Sequence, residues 1–223
     1  MRLTHKGVLA VLATAAFAAV PAAPASARII EIGHTTATNA PSCPTNPCQA
    51  VSRTTGYQAK VGTQRGLMQA PADGKIVAWT ITLGKPGPRQ IRFFNENYGG
   101  ASQAGISVLK TGTKLFGRVT GKSPIQNLQP WFGMTVQFPL GRALNVKKGY
   151  LIALTVPSWA PALALGMGND TSWRASRARD GCQEPGVQSA QLDLADLAQY
   201  RCLYRTARLT YTATLVTTPK LPR

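Results

Sequence analysis

The sequence predicts an all-β fold, an antiparallel β-sandwich of jelly-roll type, and three observations carry that prediction. From Lys75 onward apolar residues recur at alternate positions in one short run after another. Turn-forming glycine, proline and asparagine separate the runs, and threonine and valine are abundant in them. A closed barrel is the alternative architecture for the same pattern, whereas the lack of a long internal repeat argues against a propeller or solenoid.

Taken in order, residues 28–33 form a short apolar run suited to an edge strand, and the Thr-, Asn- and Pro-rich stretch after it reads as a loop up to Cys48. Val77, Trp79, Ile81 and Leu83 alternate with Ala78, Thr80 and Thr82, which predicts a half-buried strand with Trp79 in the core; the basic turn 84–89 ends it. Residues 91–94, 106–110 and 115–120 read as further short strands, divided by the turn sequences 97–100 and 111–113. Met134, Val136, Phe138 and Leu140 share one face of the next strand. Residues 150–156 are apolar on both faces, as a central strand of a two-sheet stack requires. Leu209, Tyr211, Ala213 and Leu215 alternate with Arg208, Thr210, Thr212 and Thr214. One segment, 189–199, is ambiguous. Leu194, Leu197 and Ala198 lie on one helical face there, yet Leu192 and Leu194 also alternate around Asp193. The whole amounts to about nine to eleven short strands and almost no helix.

Composition agrees with this and narrows the setting. The chain has 223 residues, 44% hydrophobic and 15% charged, which excludes disordered and collagen-like classes and is enough for a sizeable core. Residues 1–27 have the layout of a secretory signal: Arg2, His5 and Lys6, an apolar stretch over 8–20, and the small-residue site Ala25-Ser26-Ala27. The apolar stretch is shorter than the ~20 residues of a membrane span, and no second one of that length follows. The expected organisation is a signal at 1–27, an N-terminal strand and cysteine loop at 28–65, and the sandwich at 66–223, with 28–223 one structural unit. The expected location is extracellular, with cell-wall association in reach.

In an oxidising compartment the even set Cys43, Cys48, Cys182 and Cys202 implies disulfides. Three connectivities are open. Pairing Cys43 with Cys48 and Cys182 with Cys202 is favoured because each pair is close in sequence and encloses turn-rich chain. The spacing does not suit zinc, and no metal or other cofactor is expected.

The formal charge is +17, or +15 once Arg2 and Lys6 leave with the signal. A field of that sign favours anionic partners: teichoic-type polymers, acidic polysaccharide, phospholipid surfaces or DNA. The cations are dispersed and no nucleic-acid motif is present, so sequence-specific nucleic-acid binding is not expected. Catalytic signatures are absent too, including nucleophile elbows, zinc-helix motifs, phosphate loops and dinucleotide fingerprints. His34 sits in a Thr-rich segment and reads as solvated. A glycosidase needs two facing carboxylates, and most of the eight acidic residues sit beside turn glycines or prolines. Asp170, next to Trp173 in a Gly-Asn-Asp-Thr-Ser-Trp stretch, is the best catalytic candidate.

Aromatic and basic residues are more informative. Trp131, Trp159 and Trp173 stand among turn-forming residues, where indoles either stack on sugar rings or close the ends of a core. Arg174, Arg177 and Arg179 follow Trp173 directly, and arginine forks carboxylate or phosphate beside a stacking ring. These six residues are the candidate ligand contacts.

The segments 72–79, 106–109, 135–140 and 144–149, the last leading into an apolar strand, together resemble a group of mostly uncharacterised secreted β-sandwich proteins of high-GC Gram-positive soil bacteria. The resemblance covers residue 66 to about residue 156, and it implies a sandwich fold and export more than any activity. Many such sandwiches have Gly-Asp before the last apolar strand where this chain has Gly149-Tyr150, so no role of that aspartate carries over. The reading that results is a non-catalytic binder of anionic cell-envelope or extracellular polysaccharide. The alternatives are a polysaccharide-cleaving enzyme, lyase or glycosidase, and a purely structural envelope protein.

Overall fold

The computed structural model describes residues 26–36 and 39–219, so the predicted signal lies outside the described residues except for its last two positions. The chain runs through β1 (Ile29–Ile32), β2 (Val51–Val61), β3 (Gln64–Arg65), β4 (Gly74–Thr82), α1 (Pro88–Asn97), β5 (Gln103–Thr111), β6 (Phe116–Lys122), β7 (Gln126–Asn127), β8 (Thr135–Val146) and β9 (Leu151–Ala160). It continues with β10 (Leu163–Ala164), β11 (Ser172–Ala175), β12 (Leu197–Gln199), β13 (Cys202–Arg205), β14 (Arg208–Leu209) and β15 (Tyr211–Thr217).

One sheet has the order β1-β15-β4-β8, and the body of the other has β6-β5-β9-β2. Successive long strands therefore alternate between sheets, except for the β5–β6 hairpin within one sheet, in the order of a jelly roll, and the ladders are antiparallel. The larger sheet is extended at both ends, by β12 beside β6 and by a β11–β13 ribbon beside β2. That ribbon proves central to the site.

The strands form where the alternation predicts. In β15, Tyr211, Ala213 and Leu215 are buried while Thr212 and Thr214 are half-exposed; β9 is buried on both faces, and β1 takes the edge. In β4 the alternation changes phase at a bulge: the register shifts between Ile76 and Ala78, so Ile76 is fully buried and Val77 only half. Trp79, Ile81 and Leu83 keep the predicted inward face, and Trp79 packs on its ladder partner Phe138 with ring centroids 4.9 Å apart.

Two expectations are corrected. Residues 91–94 are not a strand but the middle of α1. Pro88 stands in the first turn, and the Gly87 N–H donates to Gln90 Oε1 (2.8 Å), so the helix start is satisfied locally. Phe94 then meets Trp159 at 4.7 Å between centroids, with Ile91 and Tyr98 on the same side. The helical alternative for 189–199 fails: the segment crosses the outer face of the larger sheet as irregular chain and ends in β12. There the Gln191 N–H donates to Thr55 Oγ1 (2.9 Å) and its amide nitrogen to the Gly117 carbonyl (3.2 Å).

The predicted disulfides are formed, Cys43–Cys48 and Cys182–Cys202. Among the described residues no helix is long and apolar enough to cross a membrane.

Candidate functional site

The β11–β13 ribbon has two usable faces because it lies beyond β2. Ladder partners point to the same side of a sheet. Arg174 is paired with Tyr57 on β2 and Leu203 on β13, while Trp173 is paired with Gln58 and Tyr204. Tyr57 and Arg174 therefore belong to the outer face, and Trp173 and Tyr204 to the inner one.

A groove of about 440 Å³ opens on the outer face, lined by Lys60, Arg65, Arg174 and Arg205 together with Tyr57 and Phe116. No Asp or Glu lines it. Arg174 is held by donation to the Tyr200 carbonyl (3.0 Å), and Tyr57 packs on Tyr200 at 5.2 Å between centroids. Burial pushes the Tyr57 hydroxyl above the usual tyrosine range, and the neighbouring Arg174 guanidinium acts in the opposite direction. The groove thus presents a fixed guanidinium beside an aromatic ring, flanked by three more cations. That arrangement suits a polyanion whose repeating units offer both charge and an apolar face.

A larger cleft, about 890 Å³, lies on the inner face between the ribbon, α1 and the segment 48–52. No residue of the four-stranded sheet lines it, and again no carboxylate does. Trp173 stacks on Tyr204 with centroids 4.4 Å apart at 25°, and Arg177 lies over the Tyr204 ring at 5.8 Å.

The six sequence candidates are therefore divided. Arg174 lines the groove, Trp173 and Arg177 line the cleft, and the other three line neither. Trp159 is a correction: it lies in β9, not a loop, is fully buried between Phe94 and Phe132, and donates its indole N–H to Asn95 Oδ1 and the Gly100 carbonyl, both at 2.9 Å. Trp173 is likewise in a strand and buried. Trp131 is partly exposed in a 3₁₀ turn, edge-on to Phe138. Arg179 is exposed at the start of the 3₁₀ turn Asp180–Gln183.

Asp170 is exposed in a turn, and the shallow depression it lines contains no second carboxylate. His34 is exposed as well. Groups of three or more potential metal ligands are absent among the described residues.

Sequence reasoning missed Tyr57, Lys60 and Arg65 because it did not recognise β2. It missed Tyr204 because a four-residue strand carries too little alternation to read. The paired register of Tyr57 with Arg174 has no local signal in the chain at all. Comparison with protein-family profiles, curated proteins and solved structures finds no match.

Proposed function

We propose that the protein is an exported, non-catalytic binder of anionic cell-envelope or extracellular polysaccharide, and that the polymer lies in the outer groove. The observation that carries this reading is the grouping of four cations and three aromatic rings, Tyr57, Phe116 and Tyr200, in one concavity without a carboxylate. Tyr57 and Phe116 supply surfaces for sugar rings, Arg174 forks a uronate or phosphate, and Lys60, Arg65 and Arg205 attract the chain over a longer range. Both disulfides, the signal-like leader and the resemblance to secreted sandwich proteins support an extracellular setting. The isolation of Asp170 from any second carboxylate in its depression favours binding over glycosidic cleavage.

The test is binding of the oxidised protein to polyuronate, a teichoic-type polymer and a neutral glucan at low salt and at about 0.5 M. Binding to the acidic polymers is expected to persist in part at high salt. Arg174→Ala and Tyr57→Ala are each expected to weaken it about tenfold, with the fold retained. Binding that disappears with salt for every polyanion alike, or that ignores both substitutions, overturns the reading. Release of new reducing ends or unsaturated products from any of these polymers would replace it with an enzymatic one.

A further inference from the structure

We propose that the inner cleft is a second binding site, adjoining the outer groove at Arg205 and built for a small carboxylate carried on a flat aromatic ring. Arg177 supplies the first half of the argument. Its residue is only 5% exposed, and a buried guanidinium requires either a counter-ion or a full set of acceptors because it cannot discharge itself by losing a proton. Nη1 donates to Tyr204 Oη (2.8 Å), and Nη2 donates to the Ser52 carbonyl (2.5 Å) and, at 3.5 Å, to that of Pro185. Nε has no partner. The only ion pair among the described residues is Lys122–Asp193, so none of their carboxylates neutralises Arg177.

Trp173 supplies an independent second observation. It is 4% exposed, lines the same cleft, and its indole N–H is also without a partner. Two buried donors without partners, and one positive charge without a carboxylate beside it, therefore belong to residues that line a cavity with no acid of its own. Such a wall is complementary to an anion with acceptor oxygens.

The remaining lining says what carries the anion. Phe93, Phe94 and Tyr98 of α1 line the same cleft as the Trp173–Tyr204 stack. The Tyr204 hydroxyl accepts from Arg177 and donates to the Cys182 carbonyl (2.6 Å), which fixes the orientation of its ring. A flat aromatic ring gains from such walls by stacking, and the volume lies within the range of small-molecule sites. Arg205, which lines the cleft as well, adds a second cation.

The experiment titrates the oxidised protein with 4-hydroxycinnamate, its methyl ester and glucuronate, read by tryptophan fluorescence and by NMR shifts. The acid is expected to bind saturably, with the ester at least about tenfold weaker and glucuronate weaker still. Phe93→Ala removes an exposed ring of α1 and is expected to weaken the acid several-fold while the fold persists. Arg177→Lys is expected to abolish the preference for acid over ester; if that variant does not fold, the ester comparison and Phe93→Ala decide alone. Tyr57→Ala, in the outer groove, should leave the affinity unchanged, which keeps this site separable from the polymer groove. Equal affinity for acid and ester, indifference to Phe93→Ala, shifts confined to the outer groove, or no saturable binding overturns the proposal.

Discussion

The outer face of the four-stranded sheet and the β11–β13 ribbon are built from similar material and end differently. On the sheet, polar side chains answer one another across the ladders. Thr82 and Thr135 share a hydrogen bond of 2.9 Å, Gln137 donates to Thr80 and Thr214 at 3.4 and 3.5 Å, and the Thr212 and Thr214 hydroxyls both donate to Glu31. Acceptors and donors are present in balance, and a carboxylate sits among them. On the ribbon the balance fails. Arg174 spends its Nη1 on backbone carbonyls, Arg177 and Trp173 keep buried donors without partners, and no acid lines either concavity. The difference follows from position: strands of the four-stranded sheet have neighbours whose side chains complete them across the ladders, whereas the ribbon extends the larger sheet beyond β2, next to loop and helix. Both regions hold a buried indole N–H without a partner, Trp79 in the overlap and Trp173 in the ribbon, but only the ribbon sets its unpartnered donors beside concavities, because there one sheet outruns the other.

If that division holds, stability and binding should separate between the two regions. The largest effect is expected at the overlap. Trp79→Ala removes a fully buried ring packed on Phe138 and should cost about 4 kcal/mol, read as a large fall in the unfolding midpoint in denaturant. A loss near 1 kcal/mol would mean that the sandwich core is not the source of stability. The next effect belongs to the ribbon. Cys182 and Cys202 are 20 residues apart, so replacing both by serine should cost about 3 kcal/mol, against about 2 for the tighter Cys43–Cys48 loop with its separation of 5. The two double variants sharpen the comparison further. Loss of Cys182–Cys202 should also weaken ligands of the cleft, because the Cys182 carbonyl accepts from Tyr204 and the disulfide ties that segment to β13. Ligand affinity in the Cys182–Cys202 variant equal to that of the unsubstituted protein would break the link between the ribbon and the site.

The same contrast explains what was readable in the chain. The strands of the overlap announce themselves, as in β15 and β9, because burial on a sheet face writes a period of two into the sequence. The two disulfides were readable from sequence proximity, and Arg174, Arg177 and Trp173 from their clustering. β2 was not readable. Its buried positions include Ser52, Thr54, Thr55 and Gln58, which hydropathy scores as exposed. They tolerate burial because a hydroxyl chain runs from Ser107 to Thr155 (2.7 Å) and on to Thr55 (3.1 Å), while Gln58 Oε1 accepts from the Leu209 N–H (2.9 Å). α1 reads as a strand because Ile91, Phe93 and Phe94 carry strand propensity, and only the turn ahead of them and the contact with Trp159 commit them to a helix. Trp159 and Trp173 read as loop residues because prolines and small polar residues surround them, although both strands tolerate such neighbours at their ends and edges.

The smallest of these effects tests the contrast through pH. Burial raises the hydroxyl pKa of Tyr57, Tyr200 and Tyr211 above the ordinary tyrosine value. The folded protein therefore retains protons that the unfolded chain releases near pH 10, so this contribution is complete below about pH 10 and is lost as pH rises above it. Tyr211 stands in the overlap and donates across it to the Ile152 carbonyl (2.9 Å); Tyr200 stands beside the ribbon and donates to Gln191. Tyr211→Phe should cost about 1 kcal/mol at neutral pH and make the alkaline fall in melting temperature shallower, since one of the retained protons is gone. The core of the sandwich should otherwise stay closed, leaving affinity in the outer groove unchanged at neutral pH. Tyr200→Phe should flatten the alkaline fall in the same way but also weaken binding in the groove, because losing the hydroxyl's donation to Gln191 releases the ring on which Tyr57 packs. Identical effects of the two substitutions on binding would show that sandwich and ribbon are energetically one body, and that the open chemistry of the ribbon is not what sets its affinity.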